Sequence, residues 1–339
     1  MDVQRAIAKI QKGLTGDPTK DAPYLAAEFC KYQTKAGAEG VLFAIAAMIQ
    51  KMVPKKENGD PDYDAVKLQQ KINECGELYN AEEFEDALKA SDECIDLAYK
   101  LVPEDPDDGC FSFNETFDEV LYHTTISENT ETKLPPVPMS ELYRNKAHIL
   151  FNLDRYAEAR EVIADALRWN PVDAAFYLDD ADYLMALGDY DEAWEQVRKG
   201  YSYVYRNMHL RLTYVTAAHL LYHTRKKKDG NTLLEAALAF ADTPESQNSI
   251  LSGFAELGVS NVGACDVNYV AKVCEKYGLE FGARKDIVRL ALRNGEAAEM
   301  SSQYDPAYYY YGIAYDLTYD DGLKKHMKKL KPKCTRKAW

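Results

Sequence analysis

The sequence predicts an all-α protein, an α-α superhelix flanked by divergent helical regions at its N- and C-terminal ends. Two observations carry that prediction. Nearly every apolar run in the 339 residues recurs with the 3.6-residue spacing of a helix, and none alternates over a full strand. In addition, Tyr143, Ala147, Leu150, Tyr156 and Ala159 return 34 residues later as Tyr177, Ala181, Leu184, Tyr190 and Ala193. Antiparallel helices pack closely where one offers small side chains at the crossing and large neighbours fill in around it. Ala147 with Ala159, and Ala181 with Ala193, supply two such crossings. Asp154 and Gly188 stand two residues before Tyr156 and Tyr190, where a tight turn takes left-handed backbone, and Asn170-Pro171 closes the first unit.

The remaining elements follow in order. Val3, Ile7, Ile10 and Leu14 share one helical face over residues 1–14, and Gly16-Asp17-Pro18 ends that helix. Residues 23–35 and 40–53 read as a helical hairpin, and Pro54 to Pro61 as a charged loop. Residues 64–101 form a further pair in which Cys75, Leu78, Phe84, Ala87 and Cys94 approximate the repeat, with one turn position different. Residues 103–139 interrupt the series with an acidic loop, an aromatic stretch from Phe111 to Tyr122 and a polar, proline-rich run; a short strand is admissible only there. Residues 208–223 and 229–241 make another pair. Thr224 and Lys227 occupy its Tyr and Ala sites, so its crossing is expected to differ. Thr243-Pro244 opens a helix by capping. Helices near 244–256, 266–277 and 283–301 follow, and Asp305-Pro306 starts a tyrosine-rich helix to about Tyr319. The organisation is thus an N-terminal helical region over 1–63, repeats over 64–241 with the clear units at 140–205, and a C-terminal helical region with a basic tail over 242–339.

A period of 34 residues with small residues at the crossing and proline at the end resembles the tetratricopeptide repeat (TPR). The wider layout resembles a group of bacterial TPR-containing proteins of uncharacterised role. Phe111-Ser112-Phe113-Asn114 with Asp118-Glu119 and Leu121-Tyr122, Trp169-Asn170-Pro171-Val172 and Tyr315 to Asp321 carry that likeness. The TPR resemblance implies a non-catalytic scaffold that binds a protein or peptide in a concave groove lined by the first helix of each unit. On this register the lining is Arg144, His148, Phe151, Leu178, Asp182, Met185, Leu212, Thr216 and His219. The family's best-understood ligand mode grips a C-terminal carboxylate with Lys, Asn and Arg. Here only Arg144 has that charge, His148 replaces an asparagine and Asp179 stands where another is expected, so that ligand is not expected.

Composition narrows the function further. The formal charge of −14 makes nucleic acid an unlikely main ligand, because phosphate binding needs a basic surface. Residues 324–339 hold eight Lys or Arg and no acid, which leaves the remainder at −22. The first residues lack an apolar leader, the longest apolar run is too short to span a membrane, and the seven cysteines form no Cys-x-x-Cys pair. A cytoplasmic protein is expected. His219 and His223, four apart on one helical face, lack a third ligand for a metal. Asp179, Asp180 and Asp182 read as a solvated face, and no catalytic motif is present, so neither cofactor, metal nor enzymatic activity is expected. Tyr308, Tyr311, Tyr315 and Tyr319 form a helical stripe that reads as core with hydroxyls at the surface. The alternative class is a sensory, regulatory or enzyme-accessory protein whose C-terminal helical domain is the effector; residues 1–55 lack a recognition helix for DNA.

Overall fold

Ten small residues at five helix crossings set the architecture. The computed structural model describes residues 3–15, 21, 24–25, 27–28, 31–32, 41–42, 44–45, 48, 63–241, 243–255, 257–259 and 266–335. Its helices run α1 (Val3–Lys12), α2 (Tyr63–Asn80), α3 (Phe84–Leu101), α4 (Thr116–Thr125), α5 (Met139–Asn152), α6 (Tyr156–Trp169), α7 (Ala174–Leu187) and α8 (Tyr190–Tyr201). They continue through α9 (Asn207–His223), α10 (Lys227–Ala239), α11 (Pro244–Ala255), α12 (Val267–Lys276), α13 (Lys285–Met300), α14 (Tyr304–Thr318) and α15 (Asp321–Leu330). No named strand occurs among the described residues. The single exception to helix and loop is an isolated parallel bridge between Cys110 and Lys133, inside the interruption.

Successive helices pack as antiparallel pairs: α2 with α3, α5 with α6, α7 with α8, α9 with α10 and α13 with α14. All five pairs close through the same turn. The residue two before each second helix has left-handed backbone: Glu82 (φ 62), Asp154 (φ 58), Gly188 (φ 87), Arg225 (φ 60) and Ser302 (φ 59). The next residue's N–H then reaches back five positions, from Glu83 to Leu78 (2.9 Å), Arg155 to Leu150 (3.0 Å), Asp189 to Leu184 (2.9 Å), Lys226 to Leu221 (2.8 Å) and Gln303 to Ala298 (2.8 Å). This bond satisfies a carbonyl that the helix end would otherwise leave open.

Counted from that turn, the crossings coincide. They pair Cys75 with Ala87, Ala147 with Ala159, Ala181 with Ala193, Ala218 with Gly230, and Gly295 with Ala307, every one of them buried. Two of these correct the sequence reading. The α9–α10 pair does not cross differently. Its first helix is three residues longer, so the small site falls on Gly230 rather than Lys227, and a Cβ there would meet the Tyr222 ring at 2.9 Å. The α13–α14 pair, read only as two helices of a divergent region, has the same crossing, with Gly295 against Tyr311.

The interruption rivets this stack to its C-terminal hairpin. Phe117 and Leu121 of α4 are fully buried with Val172, Tyr205, Ile287, Ala291 and Ile313. At the joint, the buried Asp118 carboxylate accepts from the backbone N–H of Asn114 (2.9 Å) and Glu115 (3.1 Å), from Asn170 Nδ2 (3.0 Å) and from Tyr205 Oη (2.6 Å). Burial outweighs these bonds and pushes its pKa up to about 6. Glu115 accepts from Arg206 Nε (3.1 Å) and from Tyr309 Oη (2.8 Å). Tyr309 lies off the expected tyrosine stripe, whose members diverge: Tyr311 is buried and Tyr319 exposed. The basic tail is helical at its start. Through residue 333 it is α15 and a short 3-10 turn, with Leu330 buried, Lys324 over Tyr315 and Lys333 over Tyr304.

At the N-terminal end, Ile10 of α1 is buried with Leu25, Tyr32, Val41 and Ile45 in a cluster of their own. The expected loop over 54–61 lies outside the described residues, as does most of the 23–53 hairpin.

Overpacking tests the crossings. Ala159→Leu and Ala193→Leu should each cost about 1–3 kcal/mol, and Gly295→Leu should cost a similar amount although leucine is the better helix former. Gly76→Ala, where a Cβ meets nothing within 4 Å, should instead stabilise by about 0.5–1 kcal/mol. Urea denaturation reads all four signs.

Candidate peptide-binding face

The shared turn fixes which residues of α2, α5, α7 and α9 present themselves in register on one face. Two rows result. One contains Asn73, Asn145, Asp179 and Thr216; the other contains Gly76, His148, Asp182 and His219. Neighbouring helices meet across these rows. His148 Nε2 lies 3.0 Å from Asp179 Oδ2, and Thr216, one helix further on, acts electrostatically on Asp182.

The candidate residues divide sharply in this setting. Leu178, Met185 and Thr216 are buried, because α7 is apolar on nearly every side and α9 packs directly against it. Phe151 is half-buried between the rings of Tyr156 and Tyr183, each with its centroid 5.2 Å away. Arg144 is no free anion grip. Its Nε donates to Asp179 Oδ2 at 2.7 Å, its guanidinium lies 5.5 Å from the Phe176 ring centroid, and Glu141 stands 4.0 Å away. Leu212 packs at the edge of the core around α9. His219 stacks edge-on against Phe254 of α11 at 4.2 Å, while His223 stacks on Tyr190, so the two imidazoles serve different neighbours.

The aspartates are not the solvated face expected of them. Asp180 is 5% exposed and bonds Arg160 Nε at 3.2 Å; burial first, opposed by Arg160, leaves its pKa up at about 6. Burial also pushes Asp179 upward, but His148 and Arg144 outweigh it and hold its carboxyl below the usual range. Asp182 has no such support. Burial and then the charge of Asp179 push it up to about 8 against the opposing effect of Thr216. Burial, and then His223, lower His219 to about 4, and burial with the Arg144 charge lowers His209. Sequence periodicity missed these pairings because residues 20, 31 and 35 apart meet only once helix stacking is known.

A cavity of about 260 Å³ opens where α2 meets α5. Ile72, Leu142 and Ile149 form its apolar wall, and Tyr79, Asn145 and His148 its polar rim. Ser91, Cys75 and Cys94 also line it, but none of them hydrogen-bonds His148; Cys75 Sγ donates to the Ala87 carbonyl instead. Burial pushes the Cys94 thiol up to about 12 and raises Cys75 as well, so neither is an activated nucleophile. The α2 side of this cavity was absent from the expected lining, although the match of Cys75 and Leu78 to the repeat placed α2 in the same register.

No family model matches the chain, and no curated protein matches it in sequence. No helix among the described residues is long and apolar enough to cross a membrane.

The raised Asp182 pKa makes a stability prediction. Between about 4, its ordinary value, and about 8, the folded chain binds a proton that the unfolded chain does not. That contribution is fully present below pH 4 and lost as the pH rises through 8. Asp182→Asn removes the dependence. The variant should therefore be more stable than the parent at pH 9, on the order of 1–3 kcal/mol, and the difference should vanish near pH 4. Thermal melts of both proteins across that range measure it.

Proposed function

We propose that the chain is a non-catalytic scaffold of the tetratricopeptide-repeat kind that binds a partner peptide along the face of α2, α5, α7 and α9. The observation that carries this reading is the cavity at Gly76 and His148, set among rows of polar side chains that recur from helix to helix. Its volume lies just below the ~300–1,000 Å³ of pockets that enclose a drug-sized ligand. It suits one side chain of a peptide whose remainder runs across the neighbouring helices, as helix-lined grooves hold extended or helical segments. The apolar wall supplies the energy of burying that side chain, and Asn145, His148 and Tyr79 supply orientation. The Asp179–His148 pair orients a ring for binding rather than for acid–base work, because the hydroxyl and thiols lining the cavity make no bond to it.

Gly76→Trp tests the reading. The position has open space where a Cβ would stand, so the indole fills the cavity without disturbing the α2–α3 crossing. Peptides selected from a random displayed library on the parent protein should lose at least about tenfold in affinity for this variant, measured by fluorescence anisotropy. Undiminished binding, with the helical circular dichroism spectrum intact, would move the site off this face.

A further inference from the structure

We propose that the cavity between α2 and α5 receives a tyrosine side chain of the partner, its ring against the apolar wall and its hydroxyl at Ser91. The inference rests on reading this face as a peptide-binding surface, and it names the residue that anchors there. Three helices build the cavity. α3 packs against both α2 and α5, so its Ser91 and Cys94, 3% and 2% exposed, close the space from behind. Gly76 keeps the mouth open, since a Cβ there would meet nothing within 4 Å. No Lys, Arg, Asp or Glu among the described residues lines it, and His148 already has its Nε2 at 3.0 Å from Asp179. A charged side chain entering here would lose its hydration and gain no counter-ion, so the occupant is neutral.

Size and hydrogen bonding narrow it further. A dry apolar cavity of about 150 Å³ holds a benzene molecule. At about 260 Å³ this one has room for a phenol ring with its methylene, between Ile72, Leu142 and Ile149. Ser91 then selects among rings. A helical serine ordinarily bonds back to the carbonyl four residues earlier. For Ser91 that carbonyl belongs to Ala87, and Cys75 Sγ donates to it at 3.4 Å. The Ser91 hydroxyl makes no hydrogen bond to any described residue, yet it lines the cavity from a side chain that is almost wholly buried. Tyr79 Oη, at the rim, accepts from Asn152 Nδ2 at 3.1 Å. Buried hydroxyls are ordinarily satisfied, so the open one at Ser91 marks where a ligand group belongs. A phenol hydroxyl both donates and accepts, and so serves Ser91 in either direction, whereas an indole only donates. Phenylalanine or an aliphatic side chain would fill the space and leave Ser91 unmet. Sites built to bond a hydroxyl discriminate strongly against the analogue that lacks it.

The experiment selects peptides from a random displayed library on the full chain and measures them by fluorescence anisotropy. The expected result is enrichment of tyrosine at one position, with replacement of that tyrosine by phenylalanine weakening binding at least about tenfold. Ser91→Ala removes no hydrogen bond of the fold and should leave the thermal melt close to that of the parent. It should weaken the tyrosine peptide and spare the phenylalanine peptide, so that the two bind about equally. Ser91→Cys, of similar size but only a weak donor, is the second variant and should act in the same way. A purely structural role for Ser91 would instead shift both peptides together. Peptides that lose affinity in Gly76→Trp yet enrich an aliphatic, charged or indole side chain would overturn this inference and leave the peptide-binding reading standing. So would a tyrosine-to-phenylalanine ratio that neither Ser91 variant changes. Failure to select any peptide, or peptides insensitive to Gly76→Trp, would overturn both.

Discussion

The close approach of two helices at a residue with almost no side chain is the constraint on which the rest of this structure depends. Each crossing requires a small residue three positions before the last turn of the first helix and another in the first turn of the second. Their vertical match is set by the turn between them. Four of the five turns place a non-glycine residue in left-handed backbone, which costs roughly 1–2 kcal/mol apiece. The bond back to the leucine or alanine carbonyl offsets part of that cost, and burial of Ala159, Ala193 and their counterparts against neighbouring leucines offsets the rest. Once the turn is fixed, so is the face each helix shows. The rows that end in Asp179, Thr216, Asp182 and His219 are therefore a consequence of packing rather than a separate design.

The interruption is held by a different force. Asp118 is nearly inaccessible, and an isolated carboxylate there would cost several kcal/mol. Four donors from three parts of the chain converge on it, and Glu115 beside it gathers Arg206 and Tyr309. These bonds draw α4 to the loops that precede α7 and α9 and to the C-terminal hairpin. Its contacts include Trp169 to Val172, Tyr205, Arg206, α13 and α14, and Asn114 reaches Glu141 and Asp173 at the start of α5 and α7. An insertion between repeats can lie in a groove or brace an edge; this one braces.

What the sequence made legible, and what it hid, divide along the same physical line. Apolar spacing and small residues at a period of 34 were enough to place α5 to α8, their crossings and their turns, because each signal is local to one hairpin. The α9–α10 crossing escaped because three extra residues in α9 displaced Gly230 from the expected position, and a fixed period cannot follow a longer helix. Gly295 and Ala307 escaped for want of large residues at the flanking sites: Ala291 and Ala298 stand where Tyr143 and Leu150 do in the clear unit. The candidate lining suffered a related loss. Leu178 and Met185 are at face-directed positions of α7, yet α9 packs against that helix and both are buried, as is Thr216 of α9 itself.

Charge was the least legible property. Counted along the chain, Arg144 and His148 are two polar members of the expected groove lining, of which only Arg144 carries the charge of a carboxylate grip. In space both are consumed by Asp179, whose pKa falls below the usual range as a result. The same stacking that neutralises Asp179 leaves Asp182, one turn later, facing only a threonine. Helix stacking thus produces opposite outcomes at two positions three residues apart, because Asp179 meets an arginine and an imidazole whereas no cation acts on Asp182. The protonation of each carboxyl follows from its neighbours in space, and no count of basic and acidic residues in the sequence contains it.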